Sequence, residues 1–169
     1  MKQSSRIILA VVILGVVAAL VLLTDFIRRQ TAQPLEVASA NITLAPGSIP
    51  IYLNGALVGG FAPSDLDQLQ KVSFIEPVEG KSEEGWLLAD VLHLYIPAAK
   101  LSPDDQITVT STSRDKFAQL TWAEVANPDN MVMFDLSNRG TLKLVSKMEK
   151  LDTRDEWVQD TDKIEISTP

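Results

Sequence analysis

The stretch SIPIYLNGALVGGF, residues 48–61, decides how the fold is interpreted. Two apolar runs flank the pair Asn54-Gly55. An Asn-Gly pair between two such runs is the strongest short signal for a two-residue hairpin turn, because both residues tolerate the left-handed backbone that this turn needs. We therefore predict a β-hairpin whose strands cover residues 48–53 and 56–61.

Downstream of the hairpin, strand patterns alternate with short helical patterns. The predicted strands are 72–75, 106–111, 117–120, 131–134, 142–145 and 164–166, and the predicted helices are 63–69 and 85–92. Ser64 is predicted to cap the first helix. Thr121 and Glu124 have the spacing of a capping box, and residues 76–84 read as a polar loop. The strands lie too close for regular βαβ units, which favours an α+β domain with antiparallel or mixed pairing.

A different pattern precedes the domain. Residues 7–24, IILAVVILGVVAALVLLT, contain no charged side chain. At ~1.5 Å per residue they would span roughly 27 Å as a helix, close to the ~30 Å core of a bilayer. We predict an uncleaved signal anchor over 1–29, a tether over 30–41 and a globular domain over 42–169. A cleaved signal peptide fits less well, because no small-x-small site follows the apolar run directly.

The basic residues around this segment give its orientation only weakly. Lys2 and Arg6 precede it, and Arg28 and Arg29 follow it. The α-amino group adds a positive charge before the segment, and Asp25 offsets one after it. We predict a single-pass protein of the cytoplasmic membrane, with its domain on the extracytoplasmic side.

Composition excludes several classes of function. Residues 34–169 carry 11 basic and 21 acidic side chains, a net charge of −10. Such a surface repels phosphate backbones, so we expect no nucleic-acid partner. The chain has no cysteine, which excludes disulfides, thiolate metal ligands and a thiol nucleophile.

No catalytic motif stands out. The single histidine, His93, has no evident metal-binding partners, and the sequence contains neither a P-loop nor a G-x-S-x-G motif. The acidic run over 152–162 lacks the spacing of a calcium loop and reads as a solvated face. The glutamates of 76–84 would do acid–base work only in a cleft that raises one pKa. The three tryptophans are predicted to pack in the core or at its rim, with ligand stacking as the alternative.

Several short motifs follow one another over most of residues 49–166. They are IYLNG at 51–55, PSDLDQL at 63–69, VEG at 78–80, GWLLADVL at 85–92, SRDKF at 113–117, NRGTL at 138–142 and WVQDTDKIEI at 157–166. In this order and spacing they resemble the molybdopterin-binding domain of the sulfite oxidase family. The resemblance implies a mixed, strand-rich sulfite oxidase-like domain.

One departure from the family bears on chemistry. The family's enzymes hold molybdenum through a cysteine thiolate, and Pro77 stands at that place in this chain. A proline has no atom that can ligate a metal. The available cations for the cofactor's phosphate would be Arg114, Arg139, Lys143 and Lys147. We expect a domain without cofactor or metal, and molybdopterin held without a thiolate is the alternative.

The family's cofactor side supplies a candidate surface for a ligand or a partner, which we call the predicted face. It consists of Pro77, Val78, Glu79, Ser111, Ser113, Arg114, Lys116, Asn138, Arg139 and Thr141. We predict no catalytic residue in it.

Three functions follow from these patterns. The first is a membrane-tethered, non-catalytic domain that binds a partner protein or a small ligand outside the cytoplasm. The second is a molybdopterin-dependent oxidoreductase without thiolate ligation. The third is an accessory subunit of a membrane complex, in which Gly15, Ala18 and Ala19 permit close helix contact. The first is preferred because the metal-ligand cysteine is missing.

Overall fold

Two β-sheets organise the domain in the computed structural model, which describes residues 42–169. Its strands are β1 (Ile49–Leu53), β2 (Ala56–Phe61), β3 (Lys71–Ile75), β4 (Ser82–Leu87), β5 (Gln106–Ser111), β6 (Lys116–Thr121), β7 (Met133–Leu136), β8 (Leu142–Val145) and β9 (Lys163–Ser167). Its α-helices are α1 (Leu88–His93) and α2 (Trp122–Ala126). Short 3-10 turns cover Pro63–Gln68, Ala98–Lys100, Thr112–Arg114, Pro128–Asn130 and Glu149–Leu151.

The two sheets differ in how their strands pair. The first has the order β2-β1-β9-β5-β6, and β1 lies parallel to β9 while the other neighbours are antiparallel. The second has the order β3-β4-β7-β8 and is antiparallel throughout. The expectation of antiparallel or mixed pairing is therefore confirmed.

The hairpin predicted from residues 48–61 is present as β1 and β2. Asn54 and Gly55 have φ values of 50° and 79°, so both turn residues adopt the left-handed backbone. The capping box is present too, since the Thr121 hydroxyl accepts from the Glu124 amide at 3.2 Å and the Glu124 carboxylate accepts from the Thr121 amide at 2.7 Å.

The predicted fold class is wrong. The helices α1 and α2 contain only 6 and 5 residues and form no layer of their own, so the described part is a strand-rich, two-sheet domain rather than an α+β one. The reason lies at residues 82–87, which we expected to be loop and helix. They form β4, because β3 and β7 pair with them from either side.

Two local predictions are also wrong. Ser64 does not cap the turn at Pro63–Gln68, which is a 3-10 turn in which the Asp65 carboxylate accepts from the Ala62 amide at 2.8 Å. Gly85 does not open a helix. It lies mid-strand, where a Cβ would stand 1.9 Å from the Phe134 carbonyl oxygen of β7.

The second sheet carries buried apolar side chains on both of its faces. Alternate residues of a strand point to opposite sides. Trp86 and Phe134 belong to the main core, shared with the first sheet and α1. Met133, next in sequence to Phe134, packs on the other face. A smaller buried cluster lies there, made of Phe74, Met133, Val145 and Trp157.

The predicted transmembrane segment, residues 7–24, and the tether lie outside the described residues. None of the helices between residues 42 and 169 has the length and apolarity needed to cross a lipid bilayer.

Candidate functional site

Three charged side chains come together on the face of the second sheet that is turned away from the main core. Asp135 of β7 lies directly across from Lys143 of β8, and Glu83 comes from β4 on the other side of β7. The Lys143 ammonium lies 2.5 Å from a Glu83 carboxylate oxygen and 3.1 Å from one of Asp135. All three are largely buried, with side-chain exposures of 7% for Glu83, 14% for Asp135 and 18% for Lys143.

Two carboxylates share this single ammonium, and their titration reflects it. Burial and the adjacent Glu83 carboxylate raise the pKa of Asp135 to about 6. Burial also acts to raise the pKa of Glu83, but hydrogen bonds from Asp135 and Lys143 outweigh it and hold that pKa below its usual value. Of the two carboxyls, Asp135 is therefore the one that binds a proton first as the pH falls.

Trp157 forms a wall beside these charges. The backbone of Val158 makes a bridge to Leu144 of β8, with N–O distances of 2.9 and 3.3 Å, and this fixes the segment that carries the indole. The Lys143 ammonium lies 4.5 Å from the centre of the Trp157 ring, within the range of a cation–π contact. Trp157 is 94% buried, yet its Nε1 has no hydrogen-bond partner.

An open cleft of about 580 Å³ lies above these groups. We call it the charged cleft. Its lining residues are Glu79, Lys81, Ser82, Glu83, Asp135, Leu136, Ser137, Asn138, Arg139, Lys143, Arg154, Trp157 and Gln159. Its charge differs from that of the domain, because it holds four of the 11 basic side chains of residues 42–169 but only three of the 20 acidic ones.

A second charged cluster centres on Asp160. Its carboxylate accepts from the Arg114 guanidinium at 2.5 Å, from Arg139 at 3.0 Å and from the Thr141 hydroxyl at 2.6 Å. The Thr141 hydroxyl and the Arg114 guanidinium hold the pKa of Asp160 below its usual value. This cluster ties the loops after β5 and β7 to the segment that leads into β9.

The structure separates the predicted face into several groups. Glu79, Asn138 and Arg139 line the charged cleft. Arg114 and Thr141, together with Arg139, bind Asp160, and Ser111 is buried with its hydroxyl 3.5 Å from that of Ser113. Lys116 donates to the backbone carbonyl of Asp155.

The remaining part is the turn between β3 and β4. Pro77 is exposed at this turn, and Val78 is 70% exposed. Val78 and Glu79 border a smaller hollow of about 190 Å³ that also contacts Trp157. Glu76 shapes the turn, because its buried carboxylate accepts from the amides of Val78 and Glu79 at 2.8 and 2.6 Å.

The residues expected to meet a molybdopterin do not fit it. Pro77 has no side-chain atom that can ligate a metal. Both carboxylate oxygens of its neighbour Glu76 already accept hydrogen bonds from backbone amides. Of the cations considered for the phosphate, Arg114, Arg139 and Lys143 are already bound to carboxylates. Within the described range, no group of three His, Asp or Glu residues is placed to hold a metal ion.

Sequence reasoning missed the floor of the charged cleft. Asp135 drew no site prediction, ligand stacking was only the alternative for Trp157, Lys143 was considered only for a phosphate, and Glu83 was placed in a loop. The sequence SEEGWL of β4 shows no apolar–polar alternation, and only the pairing of β4 with β7 places Glu83 beside Asp135 and Lys143.

Comparison with known proteins gives no indication of function, so the proposal below depends on the geometry of the site. The sequence matches no protein-family model, and a comparison with curated proteins finds no significant match. The resemblance to the sulfite oxidase family therefore stays a prediction.

Proposed function

We propose that this domain binds a small polar ligand, or a short peptide segment, in the charged cleft, and does not transform it. The observation that carries the proposal is the cleft itself. Ligand sites are typically concave and of ~300–1,000 Å³, and the charged cleft has such a volume, with the aromatic side chain of Trp157 in its lining. Its lining is otherwise mostly polar and charged, which suits a polar ligand.

Burial of the charges at its floor supports the proposal. Burying charged groups is costly unless they are fully paired, and replacing such groups with apolar residues is often neutral or stabilising. Here Glu83 and Asp135 compete for one ammonium, so the arrangement is poor for stability alone. A bound ligand would complete it.

Binding is favoured over catalysis because of how the reactive groups are held. A general acid or nucleophile must be free to reach the substrate. Both carboxylates at the floor are held by Lys143, and the chain offers no cysteine. Placement of the domain outside the cytoplasm, and a partner protein or membrane complex, stay predictions from the sequence.

The indole signals of the tryptophans provide a direct test. The full chain is labelled with nitrogen-15 and titrated with a panel of amino acids, di- and tripeptides, sugars, carboxylic acids and phosphate compounds. We expect at least one compound to shift the Trp157 indole resonance, assigned with Trp157→Phe, since Trp157 lines the cleft.

Trp86 and Trp122 serve as internal controls, because both are buried members of the main core. Their resonances should stay in place. A panel that leaves the Trp157 resonance unmoved throughout, or that moves all three indole resonances equally, would overturn the proposal.

A further inference from the structure

Strand β3 forms one edge of the second sheet, and it pairs only with β4. Just after β3, the Glu76 amide donates to the Lys81 carbonyl at 2.8 Å. Hydrogen-bonded pairs alternate along an antiparallel ladder, so every second residue of β3 turns its N–H and C=O away from β4. Within residues 42–169, these outward groups have no backbone partner, and they belong to Lys71, Ser73 and Ile75.

The other edges of the two sheets are covered or irregular. The backbone of Val158 bonds to Leu144 along β8, and the Lys150 ammonium donates to the Gln119 carbonyl of β6 at 3.2 Å. Strand β2 has a register shift against β1. Proteins protect sheet edges with such coverings and irregularities, or with charges and prolines. Strand β3 has a regular register, no proline and one charged residue, Lys71, so its edge is open to a further strand.

The side chains of β3 suit contact with another strand. Lys71, Ser73 and Ile75 lie on one face of the sheet and are all exposed. Ile75 is 62% exposed although it is large and apolar. On the opposite face, Val72 is partly exposed beside the buried Phe74. Apolar side chains next to unpaired backbone groups favour a protein strand as the occupant of this edge.

From this arrangement we propose that β3 pairs with β3 of a second copy of the chain, antiparallel, across a two-fold axis at Ser73. Ser73 then faces Ser73 of the second copy, and Lys71 faces its Ile75. In this register every outward N–H and C=O of β3 finds a partner on the other copy, and any other register leaves some of them unpaired. The two antiparallel sheets become one continuous sheet.

Charge and side-chain packing favour this self-pairing. The two Lys71 side chains are roughly 13 Å apart along the strands, whereas a parallel pairing in register would place them side by side. Each Ile75 packs on the aliphatic stem of the facing Lys71, and each Val72 faces a Phe74. No residue of β3 lines the charged cleft, so this interface goes beyond the function proposed above.

Cysteine cross-linking tests the pairing, because the chain has no cysteine of its own. In the proposed register the two Ser73 Cα atoms are about 5.5 Å apart, within the ~4.4–6.8 Å that a disulfide spans. The full chain with Ser73→Cys is treated with a mild oxidant and analysed on a non-reducing gel. We expect covalent dimers to form at least about tenfold faster than with Ser82→Cys, because pairing raises the effective thiol concentration.

Ser82→Cys is the matched control, because Ser82 is an exposed serine of the neighbouring strand β4. Two Ser82 residues would lie at least roughly 14 Å apart, three strand spacings across the joined sheet. Both variants contain the same residues 1–41, so contacts made there affect both rates equally. A Ser73→Cys chain that cross-links no faster than Ser82→Cys, as expected if a different protein occupies the edge, would overturn the proposal.

Substitutions at Ile75 test the register in the Ser73→Cys chain. Ile75→Lys places a like charge opposite Lys71 of the second copy, and Ile75→Glu places an opposite charge there. We expect disulfide formation to be about fivefold slower with Ile75→Lys and as fast or faster with Ile75→Glu. The comparison is made at about 0.15 M salt, which screens the net charge of the two copies.

The fold of both variants is checked by urea unfolding, and we expect unchanged midpoints because Ile75 is exposed. The same rate of disulfide formation with Ile75→Lys and Ile75→Glu would contradict the proposed register. Neither result bears on the charged cleft, whose ligand binding is tested separately.

Discussion

Asp135 has a strongly shifted pKa. Its pKa is raised to about 6, well above that of the same carboxyl in an unfolded chain. The folded protein therefore binds a proton that the unfolded chain has already lost. Stability from this group is present below pH 4 and falls as the pH rises toward about 6.

Asp135→Asn removes this proton uptake. We expect the free energy of unfolding of the wild type to fall, relative to that of the variant, between pH 5 and pH 7. Urea unfolding of both proteins at the two pH values measures the change. If the difference between the two proteins is the same at both pH values, Asp135 does not titrate as described.

Gly85 lies where strand β7 passes too close to leave room for a side chain. A methyl group at this position would lie 1.9 Å from the Phe134 carbonyl oxygen, so β4 and β7 would have to move apart. We expect Gly85→Ala to lower the free energy of unfolding by about 2 kcal/mol or more.

Ser82→Ala is the matched control for this change, because Ser82 is an exposed residue of the same strand. It should alter stability by no more than about 0.5 kcal/mol. Equal urea midpoints for Gly85→Ala and the wild type would show that the contact between the two strands is not close.

Some residues could be assigned from the sequence and others could not. Asn54 and Gly55 were predictable, because a two-residue turn depends on its own backbone conformations. Asp135 was not, because its pKa depends on Glu83 and Lys143, which come from two other strands. Only strand order and register bring those three groups together.

At the scale of elements, the segment from Trp157 to Asp162 holds one wall of the charged cleft in place. Asp160, with a φ of 56°, connects it to Arg114, Arg139 and Thr141. Asn tolerates this left-handed backbone, so Asp160→Asn isolates the loss of charge. We expect a loss of about 1–2 kcal/mol in stability, moderated because both arginines are partly exposed.

Hydrogen exchange can locate this effect. The amides of Thr161 and Asp162 donate to Leu142 and Thr110, and they should exchange faster in Asp160→Asn than in the wild type. Asp104→Asn, which removes an exposed carboxylate elsewhere, should leave both amides unchanged. Unaltered exchange in Asp160→Asn would mean that the ion pairs do not hold the segment.

Residues 85–92 show where strand pairing overrides a local sequence pattern. Residues 85–92 have apolar residues at helical spacing, yet the first three belong to β4 and only Leu88–His93 is α-helical. Pairing with two strands outweighed local spacing, because β-structure depends on partners distant in sequence. The expected α+β class failed for the same reason.

At the scale of the whole molecule, the acidic domain concentrates basic side chains in one cleft. Its net charge was predictable from composition, but the position of the cleft was not, since it depends on the order β3-β4-β7-β8 and on the bridge from Val158 to Leu144. The resemblance to the sulfite oxidase family placed Asn138 and Arg139 on a candidate surface. It gave no indication of the buried charges below them.

The central claim, that the charged cleft binds a ligand, is tested most directly by obstructing it. The indole resonance of Trp157 is followed during the panel titration in the wild type, in Ser82→Tyr, which places a large side chain in the cleft lining, and in Ser73→Tyr, on the neighbouring strand outside that lining. We predict a shift in the wild type and in Ser73→Tyr and none in Ser82→Tyr. The same shift in all three proteins would contradict the claim.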